Sequence, residues 1–271
     1  MAEAVGQAPS PVGPGKAPGA TAGVWELLVV LTDAQLKARY RRSFLGFLWS
    51  LMTPLFQVVI VAFVFRVLWQ HDIQDFWIKY LCGLIPWVFF SDGVLGACPA
   101  FLKFRDVVKK LRFPLWTLPA SIASSSLVHM LLSLVILLAI FPIVGVVFHV
   151  SFLFLLVLTA VLTILVAGLA LLCSVVHTFY QDLEYALTAF IRAYLFVTPV
   201  FYPLEVIPEG YHHLFLYNPM ATICEGFRGV LLRHEFPQAT HLLATLAFSV
   251  LCLAAGIVYY RRHGHELPEV L

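Results

Sequence analysis

The sequence predicts an all-α membrane protein with six transmembrane helices, and three observations predict it. Hydrophobic residues fill 61% of the 271 positions and charged residues only 12%, about half the ~25% usual in soluble domains. Six apolar stretches, each near the ~20 residues that cross a bilayer, run approximately Phe47–Val67, Tyr80–Ala100, Leu115–Val135 (extendable to Phe141), Phe152–Val175, Leu187–Phe201 and Leu242–Tyr260. The cations are segregated. Five Lys or Arg precede the first stretch, five lie between the second and third, and two follow the sixth, against four on the opposite side. The positive-inside rule then puts both termini and the 101–112 connection in the cytoplasm, and an even number of spans agrees with that. A net charge of +2 does not suggest nucleic acid as a partner.

Residues 1–23 are Ala-, Gly- and Pro-rich, lack the apolar run of a signal peptide, and are expected to be a disordered tail. Residues 24–43 follow as an amphipathic interface helix. Trp25, Leu28, Leu31, Gln35, Leu36 and Tyr40 recur at near-helical spacing, and Lys37, Arg39, Arg41 and Arg42 gather at its end. Such a segment lies flat on the cytoplasmic leaflet, although a basic flank that only sets topology would look similar. It runs without a polar linker into the six-span domain, residues 44–262.

Within that domain two connections carry more than topology. Phe101–Phe113 reads as a short cytoplasmic helix with an apolar stripe of Phe104, Val107, Val108 and Leu111, stopped by Pro114. A topology flank needs no such stripe, so the segment reads as a plug that docks into a partner. The outer segment, about 203–237, is divided by Pro203, Pro208, Pro219 and Pro237. His212–Tyr217 and Met220–Leu232 suit two short re-entrant helices. Irregular backbone at membrane depth must pack on protein or line a cavity, so this segment is expected to cap a passage. Residues 263–271 form a cytoplasmic tail.

Catalysis is not indicated. Gly15-Lys16 is followed by Ala17 and lacks the upstream Gly of a phosphate-binding loop, so an ATP site would have to lie on another chain. No nucleophile elbow or zinc-protease pattern is present. The five Cys include no C-x-x-C pair and sit mostly in apolar stretches, where they act as small hydrophobes. His263-x-His265 has no further ligand at metal-binding spacing. No catalytic residue, metal or cofactor is therefore expected on this chain.

Three motifs, in order along the chain, carry a resemblance. Arg39-Tyr-Arg-Arg-Ser-Phe-Leu-Gly-Phe-Leu-Trp49 resembles the N-terminal signature of ABC-2 type permeases that export polysaccharides. Val107-Val-Lys-Lys-Leu-Arg-Phe-Pro114 with Leu118-Pro119 resembles their turn after the second span. Thr198-Pro-Val-Phe-Tyr-Pro203, Ile207-Pro208 and Tyr217-Asn-Pro-Met220, with Glu225, Arg228 and Leu231-Leu232, resembles their outer segment. The resemblance is closest to O-antigen and teichoic acid permeases. It implies a homodimer in a bacterial inner membrane, working with two copies of an ABC ATPase subunit that would hold the ATP and Mg. The substrate it implies is a glycan on a polyprenyl diphosphate carrier. The 96–112 segment would be the coupling helix, with Phe101, Phe104, Arg105, Val107, Val108, Lys109 and Leu111 meeting the ATPase. Tyr217, Asn218, Pro219, Glu225 and Arg228 would belong to the outer gate.

Further residues are candidates within that frame. Arg39, Tyr40, Arg41 and Arg42 could attract the lipid diphosphate, since a juxtamembrane cation contributes ~1 kcal/mol near an anionic surface. Topology alone would also explain them. Sugar chains slide along aromatic rings, and Trp49, Phe56 and Phe63 share one face of the first span while Phe190, Tyr194 and Phe201 share one face of the fifth. Both sets are candidate channel lining, and both would equally suit lipid-facing packing. Arg192 is an ionisable group within a span and so marks a candidate pathway position. Alternatively, it snorkels or pairs with Asp182 or Glu184. Two other functions share this topology: a drug or lipid exporter, and a membrane enzyme acting on polyprenyl-linked sugars, for which Asp182 with Glu184 is the one close cytoplasmic acidic pair.

Overall fold

The computed structural model describes residues 23–40, 76–110, 113–202, 204, 208–211 and 217–271, with six helical positions between 56 and 63. Among these residues all regular structure is helical. The elements are α1 (Val24–Tyr40), α2 (Phe76–Ala97), α3 (Ala100–Lys103), α4 (Arg105–Lys110), α5 (Thr117–Val144), α6 (Phe154–Phe179), α7 (Leu183–Val197), α8 (Pro219–Arg228), α9 (Ala239–His263) and α10 (Leu267–Val270).

Among the described residues, four helices are long and apolar enough to cross a membrane: α2, α5, α6 with its leading 3₁₀ turn from Val150, and α9. They match the second, third, fourth and sixth predicted stretches. The fifth forms α7, which at 15 residues is only ~22 Å long, short of the ~30 Å hydrocarbon layer. The first stretch and the tail lie largely outside the described residues.

Chain chemistry explains the boundaries. Cys98-Pro99 breaks α2 from α3. Gly145, at φ 83°, closes α5 in the left-handed conformation and donates its N–H to the Phe141 carbonyl, a glycine cap. His149 caps the turn into α6 by accepting from the Ser151 N–H. Asn218 caps α8 and Pro219 occupies its first turn, the arrangement expected at a helix start.

α2 is the centre of the bundle. Fifteen of its residues are buried, so it faces protein over most of its surface, and α5, α6 and α8 all pack on it. α9 lies along α6 and α1 along α5. The α6–α9 crossing depends on two glycines. A Cβ on Gly168 would sit 2.4 Å from the Leu253 backbone nitrogen, and one on Gly256 would sit 2.7 Å from the Gly168 carbonyl oxygen. Small residues allow this backbone approach between helices in lipid, where hydrophobicity alone does not drive association.

Candidate functional site

The α8 cap is built around Arg228. Its side chain is 1% exposed and carries a charge, which is tolerable only when every donor is used. Nε donates to the Lys79 carbonyl at 2.8 Å and Nη2 to the Val200 carbonyl at 2.6 Å. Nη1 donates to the Pro199 carbonyl at 2.5 Å, the Tyr202 carbonyl at 3.3 Å and Glu225 Oε1 at 2.6 Å. One guanidinium thereby joins the start of α2, the extended chain after α7, and α8. The planar fork of arginine suits this and the single ammonium of lysine does not. Gly83 makes room for it, because a Cβ there would lie 2.6 Å from Nη2.

Glu225, also buried, continues the network. It accepts from the Leu204 N–H at 3.1 Å and from Arg233 Nη2 at 3.3 Å, and Arg233 Nε reaches Glu235 at 3.2 Å. Cys224 donates its thiol to the Gly83 carbonyl at 3.4 Å, and burial pushes that thiol up to about 12. At the other end of α8, Asn218 Oδ1 accepts from the N–H groups of Met220 and Ala221 and from the Tyr194 hydroxyl, while its amide donates to Thr198 Oγ1 at 3.2 Å. After Arg228 the chain makes a π turn, Gly229–Arg233, and leaves it at His234 with φ 59°. The cap therefore grips α2 and the chain after α7 at its Arg228 end and the end of α7 at its Asn218 end.

Between α2 and α5, α3 and α4 form a helical connection bent at Phe104. Phe101 is fully buried, and Phe104 and Val108 nearly so. Val107 packs half-buried against the same core. The apolar stripe is thus turned into the chain itself, with α3 seated on α5 and α6. The outward face holds Lys103, Arg105, Asp106, Lys109 and Lys110. Leu111 lies outside the described residues.

A third cluster joins α1 to α2. The Arg39 guanidinium is paired with the Asp92 carboxylate, each side chain 36% exposed. A pair that open to solvent contributes ~0.2–1 kcal/mol, whereas an acidic group in a span costs ~2.5–3.5 kcal/mol on insertion scales. Stability therefore does not account for Asp92.

The sequence itself, compared with known proteins, agrees with this architecture. One family matches continuously over residues 26–232, from α1 through the α8 cap to the π turn. The chain belongs to the ABC-2 type transporter family. Among its relatives, the O-antigen export system permease protein RfbA of Myxococcus xanthus is 33% identical over 252 residues, 90% of this chain and 94% of the relative. The protein of the same name from Klebsiella pneumoniae is 28% identical over 250 residues, 92% of this chain and 96% of that one. The polysialic acid transport protein KpsM of Escherichia coli is 24% identical over 236 residues, 84% of this chain and 89% of the relative. The resemblance read from the three motifs is that of this family, and the relatives carry the names of permease and transport subunits rather than of enzymes.

Within this ABC-2 chain the predicted gate residues Asn218, Pro219, Glu225 and Arg228 share α8 and its cap, while Tyr217 is exposed with its ring edge-on to His241. Two predicted lining residues adjoin the cap. Tyr194 packs its ring on Trp87 and Phe90, and Phe201 stacks on Tyr80 at 5.7 Å. Phe190 is exposed and stacked on Tyr194. Arg192 is exposed on α7. Glu184 is 3.6 Å from His177 instead, and no ion pair of Arg192 with Asp182 or Glu184 occurs among the described residues. Phe56 and Phe63 are exposed helical positions. Tyr40 closes α1, and Arg41, Arg42 and Trp49 lie outside the described residues. His263 meets Glu266 at 3.3 Å and the rings of Phe179 and Tyr259.

Sequence reasoning passed over Asp92 and Gly83, and it quoted Thr198 only as part of a motif, without its bond to Asn218. Asp92 was findable, since an acid in an apolar stretch is the same signal that singled out Arg192. Gly83 and Thr198 carry no such signal, because their roles come from contacts with residues far along the chain.

Proposed function

We propose that this chain is the membrane permease subunit of an ATP-driven exporter, moving a polyprenyl-diphosphate-linked cell-surface polysaccharide out of the cytoplasm across the inner membrane. The observation that carries the reading is similarity along nearly the whole chain to O-antigen and polysialic acid transport proteins. Two copies would pair, each with six spans and both termini in the cytoplasm, and two ABC ATPase subunits would bind below them. ATP and Mg would belong to those partners.

The geometry supports a division of labour. The α3–α4 segment presents its basic face outward and its aromatic face inward. Arg105 and Lys109 would therefore meet the ATPase, and Phe101, Phe104 and Val108 would pass its motion to α5 and α6. α7 exposes Tyr185, Ala189, Arg192 and Phe196, spaced to share one face. That face, with Phe56 and Phe63, would border the passage between the two copies. Aromatic rings there can stack on sugars without holding them. The α8 cap would close the passage on the outer side until the glycan is driven against it.

Deleting the gene in its native host tests the reading. The surface polysaccharide should disappear and its lipid-linked form should build up on the cytoplasmic side. A cell with unchanged surface polysaccharide would refute the proposal.

A further inference from the structure

Asp92 is the only carboxylate within the four membrane-length helices. Its partner Arg39 belongs to the basic end of α1, which the sequence places at the cytoplasmic headgroup layer. The pair spans 53 residues and fastens α1 to α2. The other acidic group near the end of α1, Asp33, pairs locally with Lys37 one turn away and bridges nothing. Both Arg39 and Asp92 remain partly open, so an anion arriving from the headgroup layer can reach the guanidinium. A carboxylate and a phosphate offer that guanidinium the same thing, oxygens placed for a forked, charge-assisted contact.

The geometry points to Asp92 as a built-in stand-in for the diphosphate of the lipid carrier. In the unloaded permease Asp92 occupies Arg39. The diphosphate of an arriving lipid-linked glycan takes over the guanidinium, Asp92 lets go, and the end of α1 is released from α2. Asp92 thus sets both the affinity for the carrier and the point at which α1 can move. This inference rests on the polyprenyl diphosphate reading above.

Binding of farnesyl diphosphate, a short soluble polyprenyl diphosphate, to the full chain with its ATPase in lipid nanodiscs tests it. The wild type should bind. Asp92→Asn removes the competitor and should tighten binding by ~2–5-fold, the weight of one half-exposed ion pair. Asp33→Asn removes a nearby acid that holds no bridge and should leave binding unchanged, which separates displacement from a general change of field. The exchanged pair Arg39→Asp with Asp92→Arg restores the ion pair and its packing but should bind at least severalfold more weakly, because the cation now sits on α2. Binding by Asp92→Asn that is equal to or weaker than wild type overturns the inference, as does an exchanged pair that binds like wild type. A wild type that fails to bind while retaining export would remove the carrier reading itself, and this inference with it.

Discussion

Replacing Arg228 with Met gives the α8 cap its most direct test. The side chains have similar reach, so the change removes charge and donors while leaving little void. Four acceptors are affected: the buried carboxylate of Glu225 loses its closest partner, and the carbonyls of Lys79, Pro199 and Val200 lose their strong donors. Removing one partner from a buried pair costs ~3–5 kcal/mol, and the non-helical carbonyls of Pro199 and Val200 add ~1–3 kcal/mol each where water does not reach them. Arg233, at 3.3 Å from Glu225, would recover part of the first term. The expected net loss is ~4–6 kcal/mol, a fall in the melting temperature of detergent-solubilised protein on the order of 10 °C or more. The damage should be local as well. In a chain retaining Cys224 as its only cysteine, that thiol is buried and raised to about 12, so maleimide should leave it unlabelled in the parent and label it in Arg228→Met. The double change Glu225→Met with Arg228→Met should recover stability relative to Arg228→Met alone, because no unpaired charge stays buried. An Arg228→Met protein melting within ~2 °C of the parent, with Cys224 still protected, would refute the idea that this guanidinium holds the cap.

Four further outcomes are expected. Gly168→Val should abolish accumulation of folded protein, since its Cβ would press on the Leu253 backbone nitrogen at 2.4 Å and overpacking costs ~1–3 kcal/mol or more; size-exclusion profiles in mild detergent would show it. Asn218→Ala should cost ~0.5–2 kcal/mol through the lost cap, whereas Asn218→Asp keeps the acceptor for Met220, Ala221 and Tyr194 and should melt closer to the parent. Arg105→Glu with Lys109→Glu, both on the exposed face of the α3–α4 segment, should leave the melting temperature unchanged and reduce co-purification of the ATPase. Arg192→Leu should likewise fold normally, its side chain being exposed, and export assays should show a loss if the α7 face borders the passage.

Local chemistry made much of this fold readable before any coordinates. Apolar length marks α2, α5, α6 and α9 because the bilayer imposes a minimum span. Asn218-Pro219 marks the start of α8 because capping involves only neighbours in sequence. Periodicity located the stripe of Phe104, Val107 and Val108, but period does not say which body a stripe faces. The α3–α4 segment buries it in its own chain, next to Phe101, and leaves the charges exposed. The Arg228 cradle was hidden for a different reason. Its acceptors lie at Pro199, Val200, Tyr202 and Lys79, up to 149 residues away, and main-chain carbonyls leave no mark on composition. Asp92 was in plain view, but its meaning depended on Arg39 being its partner.

A charge buried at one end of an apolar bundle calls for a physical reason, and α7 supplies one. This helix stops at Val197, where Thr198 turns extended and Pro199 cannot continue the ladder. The following carbonyls then have no helical donors, at a depth where irregular backbone must be satisfied from within the protein. Arg228 donates to three of them, those of Pro199, Val200 and Tyr202. A longer α7 would need no such arginine. It would also carry a continuous helix past the point where the chain instead places a short, separately held cap. Only Ile191 is fully buried along α7; Leu183, Leu187 and Leu195 pack half-buried on the core, and the C-terminal end is tied down by Tyr194 on Asn218 and by the following carbonyls on Arg228. The grip on α8 is therefore also the grip on the end of α7. In the proposed exporter, a push from the α3–α4 segment that shifts α2 would strain the Lys79 and Gly83 contacts first. The outer cap and the α7 face would then respond together.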